Sequence, residues 1–322
     1  MMFPPTERPI TNILVTGATG QIGSELTPFL RRRYGAERVV AGVRRNSAPA
    51  DLGAGPQEVV DVTRREDLDA AISRHKIDTI FHLAGVLSAV GEQDPERAWS
   101  VNVGGFINVL EAARAGGAAR VFFPSSIAVF GSNCPRDRTP QDTVLQPSTI
   151  YGVSKVTGEL LGEYYVRRFG LDVRGLRLPG IISSETPPGG GTTDYAVEIF
   201  HQALRTGRYR CFLGPDTCLP MMYMPDCLKA IVGVMEAEGS RLTHHCGFNV
   251  TGFSVTPALL AEAIRNHLPN FTIEYQADFR QAIADSWPHS LDDSAARQEW
   301  GWQPDHDLAS MTRAMIGALS AR

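Results

Sequence analysis

A glycine-rich turn near the start of the chain constrains the fold more than any other feature of the sequence. The short apolar run at 13–16 leads directly into Gly17, and a helical pattern is established soon after Gly23. Gly20 lies between them, where the backbone can approach an anion closely. The N–H groups at a helix N-terminus carry partial positive charge and bind phosphate. This order of strand, tight turn and helix predicts a dinucleotide-binding unit and makes a purely structural turn the weaker reading.

Strands and helices alternate through the first half of the chain. Continuous apolar runs of this kind are typical of parallel strands that are covered on both faces, with right-handed crossovers. We therefore predict the α/β class, with a Rossmann-type doubly wound parallel sheet. The further strand candidates lie at 38–43, 58–62, 79–84, 121–123 and 173–178, and the helical patterns at 25–33, 98–115 and 151–169.

The regular alternation of strands and helices ends after Leu178. A Gly/Pro segment at 187–193 has the composition of an active-site loop, and we expect it to move on binding. Shorter elements follow, which predict a smaller, interleaved C-terminal substrate-binding domain. The expected division assigns 1–178 and about 209–250 to the dinucleotide-binding domain, and about 179–208 and 251–322 to the substrate domain. The later strands are expected at 209–213 and 248–250, and the later helices at 195–206, 225–236, 257–267 and 307–319.

Composition excludes several classes of partner. The net charge is −4, from 31 basic and 35 acidic side chains, which is unlike the concentrated basic face of a nucleic-acid-binding protein. No apolar run approaches the roughly 18 residues of a membrane span, and the first ten residues do not have the pattern of a signal peptide. The five cysteines are odd in number and lack Cys-x-x-Cys spacing, so they indicate neither a disulfide scaffold nor a metal site. We expect a cytoplasmic protein.

The second and third strands bear on the choice of cofactor. An NAD-binding fold usually ends its second strand with a carboxylate that binds the ribose hydroxyls. Here that strand ends at Val43 and is followed by Arg44 and Arg45, which could instead pair with the 2′-phosphate of NADP. On residue chemistry alone, NADP is as plausible as NAD. Asp61, after the third strand, either binds the adenine amino group or caps the following helix.

Three residues predict a catalytic site. Tyr151 and Lys155 are four residues apart at a helix start, so both project from one face. A neighbouring ammonium favours the phenolate, and we expect Lys155 to lower the pKa of Tyr151. Ser126 directly follows the fifth strand, where its hydroxyl can position a reacting oxygen. The alternative for Tyr151 and Lys155 is a helix-surface pair.

The glycine turn, the strand-end serine and Tyr-x-x-x-Lys together resemble the extended, epimerase-like short-chain dehydrogenases/reductases. Within them, the chain resembles the L-threonine 3-dehydrogenases from about residue 13 to 302. Two positions depart from that family, which usually has Asp in place of Val43 and often Thr in place of Ser126. The segments that carry the closer resemblance are 87–92, 150–155, 179–183, 188–196, 219–224, 286–288 and 291–294.

The resemblance implies that NAD oxidises the β-hydroxyl of L-threonine to give 2-amino-3-oxobutyrate. It assigns Tyr151 as the general base, Ser126 as a donor to the hydroxyl, and Lys155 as the group that tunes Tyr151 and anchors the cofactor. The implied cofactor-binding residues are Gly17, Thr19, Gly20, Gln21, Ile22, Gly23, Arg44, Asp61, Val62, Leu83, Ala84, Gly85, Tyr151, Lys155 and Leu178. The implied substrate-binding residues are Ser88, Ser126, Tyr151, Gly180, Thr192, Asp194 and Trp287.

Alternatives remain open from the sequence. A nucleotide-sugar epimerase or dehydratase of the same superfamily must hold a second diphosphate, yet the segment at 219–224 has no basic residue. A non-catalytic dinucleotide sensor would tend to lose the Tyr/Lys pair, which this chain keeps. Thr192 and Asp194 could cap a helix, Ser88 could face solvent, and Trp287 could belong to the core. Monomer and homodimer are both compatible with the sequence.

Overall fold

The computed structural model of the protein describes residues 8–45 and 51–321. Residues 1–7 lie outside this part. They include the start of the first predicted domain and most of the segment for which the sequence predicts no signal peptide. Within the described ranges, strands β1 to β12 occupy Ile13–Thr16, Val39–Val43, Gln57–Val59, Thr79–His82, Arg120–Ser126, Asp172–Leu178, Gly180–Ile182, Arg208–Cys211, Leu219–Tyr223, Phe248–Asn249, Phe253–Val255 and Thr272–Tyr275. Helices α1 to α12 occupy Gln21–Tyr34, Arg65–His75, Ser88–Gln93, Pro95–Trp99, Gly105–Gly116, Ile150–Phe169, Tyr195–Thr206, Met224–Glu236, Pro257–Arg265, Arg280–Ala284, Ser294–Trp300 and Leu308–Ser320.

The central sheet has seven parallel strands in the order β10-β6-β5-β4-β1-β2-β3. This order confirms the predicted Rossmann-type doubly wound fold, in which the connection reverses direction between β1 and β4. The register pairs Thr16 with His82 and Ser126 with Leu178. Because these strands are parallel, the residues at their carboxyl ends meet at one edge of the sheet. Ligands bind at that edge in folds of this type.

Both faces of the central sheet are covered by helices. On one face α1 and α8 bury side chains such as Leu26 and Ile231 against the strands. On the other face α2, α5 and α6 do the same, for example with Ile72 and Val109. This burial on both faces accounts for the continuous apolar runs of the strands. No helix in the described part of the chain is long and apolar enough to cross a membrane.

A second lobe forms from the later part of the chain. It contains a three-stranded sheet, β11-β9-β7, and the pair β12-β8, with a core shared by α7, α9 and α12. The strands β8 and β9 both belong to this lobe, although the expected division assigns about 209–250 to the dinucleotide-binding domain. Strand β8, within the strand predicted at 209–213, pairs with β12 and buries Tyr209 and Cys211 in the core of the second lobe. Its alternating pattern identified a strand but not the sheet that the strand would join.

The helix predicted at 98–115 is also different in the structure. Helix α4 leads into a π-helical segment, Ser100–Gly104, before α5 continues the path. The wider turn contains Asn102, whose side-chain amide accepts from the N–H of Val86 (2.7 Å) and donates to its carbonyl (3.1 Å). The same amide donates to Ser154 Oγ at 3.2 Å. The segment therefore fixes the loop after β4 to helix α6, beside the carboxyl edge of the sheet.

Candidate active site

A cavity of about 720 Å³ lies at the carboxyl edge of the sheet, between the sheet and the second lobe. Every residue predicted to bind cofactor or substrate lines it, and so do the three predicted catalytic residues. The structure therefore brings together residues that are up to 270 positions apart, from Gly17 to Trp287. Lining residues that were not predicted as site residues include Leu87, Val90, Arg97, Ser100, Val101 and Ile127. The sequence offered a signal for three of them: Leu87 and Val90 belong to the segment 87–92 that carries the resemblance, and Ile127 follows the end of β5.

The glycine turn has the geometry that a bound pyrophosphate requires. Gly17 has φ +71°, and a Cβ on it would lie 2.6 Å from the N atom of Ala84. A Cβ on Gly23 would lie 2.2 Å from the carbonyl oxygen of Gly17, so the helix can approach the strand only at a glycine. Gly20 is the N-cap of α1 and has no side chain that could accept from the helix N–H groups, and the first turn of the helix has no acidic residue. These N–H groups fit the phosphates of a dinucleotide.

Arg44 and Asp61 lie together at the far end of the cavity. Asp61 Oδ1 accepts from the N–H (3.0 Å) and the hydroxyl (2.7 Å) of Thr63. These two bonds, opposed by partial burial, lower the pKa of the Asp61 carboxyl, and the charge of Arg44 lowers it further. Asp61 does not cap α2, because the N-cap of that helix is Arg64. The carboxylate therefore stays ionised at neutral pH and offsets the charge of Arg44.

Helix α6 presents Tyr151 and Lys155 to the end of strand β5. The helix begins after Thr149, whose hydroxyl accepts from the N–H of Gly152 at 3.0 Å. Lys155 Nζ donates to the carbonyl of Pro124 at 2.6 Å and lies 5.3 Å from the centre of the Tyr151 ring. Lys155 is buried, so the pair is not a helix-surface feature. Ser126, two residues after Pro124, is a hydrogen-bond partner of Tyr151.

The expected lowering of the Tyr151 pKa by Lys155 is not what the structure shows. Burial raises the pKa of Tyr151 to about 12, although the hydrogen bond with Ser126 acts in the opposite direction. Burial also lowers the pKa of Lys155 to about 8, with the nearby Glu159 carboxylate opposing that change. His82, at the end of β4, is neutral because burial and the charge of Lys155 lower its pKa to about 3. Desolvation outweighs the pairwise attraction that the spacing predicted.

The loop between β7 and α7 closes the cavity on the side of the second lobe. Thr192 Oγ1 and Ser88 Oγ lie 3.2 Å apart, and both residues are buried, so Ser88 does not face solvent. Asp194 is at the N-cap position of α7, but its carboxylate makes no cap. It accepts instead from the N–H groups of Gly190 (2.7 Å) and Gly191 (2.8 Å). Burial raises the Asp194 pKa, and these bonds oppose that shift.

Packing against the second lobe decides the roles of several other residues. Trp287 both lines the cavity and belongs to the core of the second lobe, so the two readings of this residue are compatible. A Cβ on Gly180 would lie 2.3 Å from Met221 Sδ, so the packing at this position leaves no room for a side chain. Met221 and Met222 are fully buried and do not line the cavity.

Known proteins resemble this chain over almost its whole length. The model of the NAD dependent epimerase/dehydratase family matches residues 13–246. An uncharacterised epimerase/dehydratase of Staphylococcus haemolyticus is 46% identical over 312 residues, which are 96% of this chain and 98% of the relative.

Solved structures of L-threonine dehydrogenases are similar in fold and sequence. The enzyme from Clostridium difficile has a TM-score of 0.95 at 48% identity, covering 98% of this chain and 99% of that one. The holo form of the enzyme from Cupriavidus necator has a TM-score of 0.93 at 47% identity, covering 96% and 99%. These findings confirm the resemblance drawn from the sequence motifs, and the prediction of NAD as cofactor. The chain belongs to the NAD dependent epimerase/dehydratase family.

Proposed function

We propose that the protein is an NAD-dependent L-threonine 3-dehydrogenase, which oxidises the β-hydroxyl of L-threonine to give 2-amino-3-oxobutyrate. One observation carries the proposal. A single cavity joins the glycine turn at α1, Tyr151 with the buried Lys155, and the Ser88–Thr192 contact. The full-length similarity to L-threonine dehydrogenases supports the choice of substrate.

The cavity-lining residues up to Leu178 fit a dinucleotide. The N–H groups around Gly20 would hold its pyrophosphate, and Asp61 would bind at its adenosine end. The Asp61 carboxylate offsets the charge of Arg44, which disfavours a 2′-phosphate and therefore favours NAD over NADP. When bound, NAD accepts the hydride that leaves the β-carbon of the substrate. Lys155, which lines the cavity and donates to Pro124, would also donate to the cofactor ribose.

Tyr151 takes the proton of the threonine hydroxyl. Its oxygen must be a phenolate at that moment, and burial alone opposes this state. Two neighbours favour it: the hydroxyl of Ser126, which can donate to the phenolate, and the ammonium of Lys155, one helical turn away. The Ser126 hydroxyl has a single proton, so it would donate to the reacting oxygen once Tyr151 has accepted the substrate proton. The proton leaves the substrate oxygen for Tyr151 while the carbon–oxygen double bond forms.

The polar residues at the second-lobe end of the cavity would orient L-threonine, which is a small substrate. Ser88, Thr192 and Asp194 supply hydroxyl and carboxylate groups that suit an ammonium and a carboxylate, and Trp287 supplies an apolar wall. Fixing the substrate by several hydrogen bonds lowers the barrier by orientation. We propose a division into two domains along this cavity, with β8 assigned to the substrate domain.

A nucleotide sugar fits the cavity less well. Of the described residues that line it, those after Leu178 include no lysine or arginine. The second lobe would therefore offer no lysine or arginine to offset the charge of a second diphosphate, which is unfavourable. The strand at 219–223, where a basic residue would be needed, is buried in the core.

The experiment is an initial-rate assay of NADH formation at 340 nm with L-threonine, with L-allo-threonine and D-threonine as stereochemical controls. We expect turnover of L-threonine and detection of aminoacetone, the decarboxylation product of a 2-amino-3-oxo acid. Calorimetric binding of UDP-glucose without threonine turnover would favour the epimerase alternative. Binding of NADH without turnover of any β-hydroxy amino acid would favour a dinucleotide sensor.

A further inference from the structure

A buried ion pair lies behind the candidate catalytic residues. Glu159 on α6 and Arg177 on β6 are 4% and 6% exposed. Arg177 donates through Nε to Oε1 and through a terminal nitrogen to Oε2 of Glu159, both at 2.9 Å. Ser125 Oγ donates to the same Oε1 at 2.5 Å. Gly247, with φ +91°, packs its backbone against the carboxylate, where a Cβ would lie 2.5 Å from Glu159 Cδ. Charged groups are rarely buried this deeply without a structural or functional reason.

This pair completes a regular docking of α6 on the end of β5. Tyr151, Lys155 and Glu159 recur every four residues and so share one face of the helix. Each contacts a different residue of one strand segment: Ser126 for Tyr151, the carbonyl of Pro124 for Lys155, and Ser125 for Glu159. Two of these three contacts involve residues that the proposed function uses. The third holds a carboxylate one helical turn from the ammonium of Lys155.

We propose that Glu159 is a positioning residue of the active site: its carboxylate, held by Arg177 and Ser125 one helical turn from Lys155, supplies a counter-charge to the Lys155 ammonium and docks its helix on the end of β5. The inference rests on the proposed function, since it gives Glu159 a role in controlling the charge of the Tyr151–Lys155 pair. Removing the carboxylate leaves two buried cations, Lys155 and Arg177, without their shared counter-charge. The expected consequence is a less protonated Lys155 and a less stable phenolate.

Other ionisable groups near Lys155 do not supply this charge. Tyr151 is neutral in the free chain because burial raises its pKa to about 12. His82 is neutral because its pKa is lowered to about 3. Arg177 is a cation and opposes the ammonium. Cys246, which contacts the same region, remains a thiol because burial raises its pKa well above the usual value. Glu159 is the group that raises the pKa of Lys155 against the effect of burial.

The first test is the pH dependence of kcat for L-threonine in Glu159→Gln. The Tyr151–Lys155 pair loses its first proton at the lysine, whose pKa is about 8. In the singly deprotonated pair, the remaining proton can move from Tyr151 to Lys155 and give the active phenolate beside an ammonium. Because the population of this singly deprotonated pair grows with pH, kcat should rise to a plateau above about pH 8. In Glu159→Gln we expect this rise to move down by about one pH unit, as for loss of one close charge. The plateau should fall about tenfold, because a lysine that is weaker by one pKa unit stabilises the phenolate less.

Asp172→Asn is the matched control. Asp172 is an equally buried carboxylate, paired with Arg120 and Arg174, but it lies at the opposite end of β6. This variant should lose stability and keep the wild-type pH profile. A Glu159→Gln enzyme with reduced kcat but an unmoved pH profile would overturn the proposal, because a merely structural role predicts that result. If Glu159→Gln does not fold, Glu159→Gln with Arg177→Met removes both charges. The rise should then still move down, but by less than one pH unit, because removal of the Arg177 cation acts in the opposite direction.

The second test needs neither substrate nor cofactor, so it separates failure of this inference from failure of the proposed function. The folded pKa of Lys155, about 8, is below the roughly 10.4 of an exposed lysine. Its burial therefore destabilises the fold fully below pH 8, and this effect fades as the pH rises towards 10. If Glu159→Gln lowers the pKa of Lys155 in the folded protein further, the added destabilisation appears only below about pH 8. The Tm deficit of Glu159→Gln should be larger at pH 6 than at pH 9, whereas that of Asp172→Asn should not change. Equal deficits at both pH values would overturn the proposal.

Discussion

Three glycine-to-alanine substitutions separate what the glycine turn does for the fold from what it does for the cofactor. In Gly23→Ala, the new Cβ would lie 2.2 Å from the carbonyl oxygen of Gly17 and 2.9 Å from the Cα of Ala18. Real contacts of this kind are longer by about 1 Å, and only backbone is available to move. Overpacking of this severity costs about 1–3 kcal/mol. Gly23→Ala should therefore lose both stability and cofactor binding.

Gly20→Ala should behave differently. Its Cβ would meet one atom within 4 Å, the carbonyl oxygen of Gly17 at 3.3 Å, so the fold needs to adjust by only a few tenths of an ångström. The methyl group would, however, stand at the N-terminus of α1, where the pyrophosphate approaches. Loss of one hydrogen bond to a charged group costs about 1.5–3 kcal/mol, which is roughly a 10- to 150-fold increase in Kd.

The assay combines thermal unfolding with NADH titration by fluorescence for each variant. Gly317→Ala, on the exposed face of α12, is the control because the new Cβ would meet nothing within 4 Å. Alanine is the better helix former, so this substitution should stabilise the protein by about 0.5–1 kcal/mol. A Gly20→Ala protein that is stable and binds NADH as tightly as the wild type would refute the assignment of this turn to the pyrophosphate. Equal loss of stability in Gly20→Ala and Gly23→Ala would refute the packing argument.

Three further predictions concern other parts of the cavity. Gly190→Ala should reduce kcat/KM about tenfold or more, because the φ angle of +92° at this position is strained for alanine. Gly189→Ala is the control and should keep kcat/KM, because its new Cβ would make only an ordinary contact with Leu87; equal kinetics of the two variants would contradict a conformational requirement in the loop. Asp61→Asn should raise the ratio of NADP to NAD activity, because the charge of Arg44 is then no longer offset; an unchanged ratio would contradict this account of cofactor choice. Ser126→Ala should lower kcat by about 10²–10³, whereas Ser126→Thr keeps the hydroxyl and should stay within a few-fold of wild type; similar rates for both would exclude a role for the hydroxyl.

Local pattern was sufficient for the elements that build the sheet. The sequence predicts a strand at 13–16 with the bounds found for β1, and the helix at 195–206 coincides with α7. The strand is a continuous apolar run and the helix has a strong helical period, and a glycine follows each of them at once. The cavity lining was also predictable to a large extent, since strand ends of a parallel sheet must converge at one edge.

Tertiary context decided what the sequence could not. The π-helical segment depends on Asn102 binding the loop after β4, a contact between distant parts of the chain that no local pattern encodes. The partner of β8 depends on which lobe buries its apolar face. The pKa of Tyr151 depends on how fully the fold excludes water from it, and spacing along a helix gives only the pairwise part of that balance. Glu159 was missed for a similar reason, because its partners lie on two different strands.

The most direct test of the account is the comparison of wild type with Tyr151→Phe in NADH formation from L-threonine. Absorbance at 340 nm should be followed with NAD and with NADP, and NADH affinity should be titrated in both proteins. We predict NAD-dependent turnover in the wild type, a loss of at least about 10³-fold in Tyr151→Phe, and NADH binding that changes little. A Tyr151→Phe enzyme that keeps its turnover, or a wild type active with NADP alone, would contradict the proposed function.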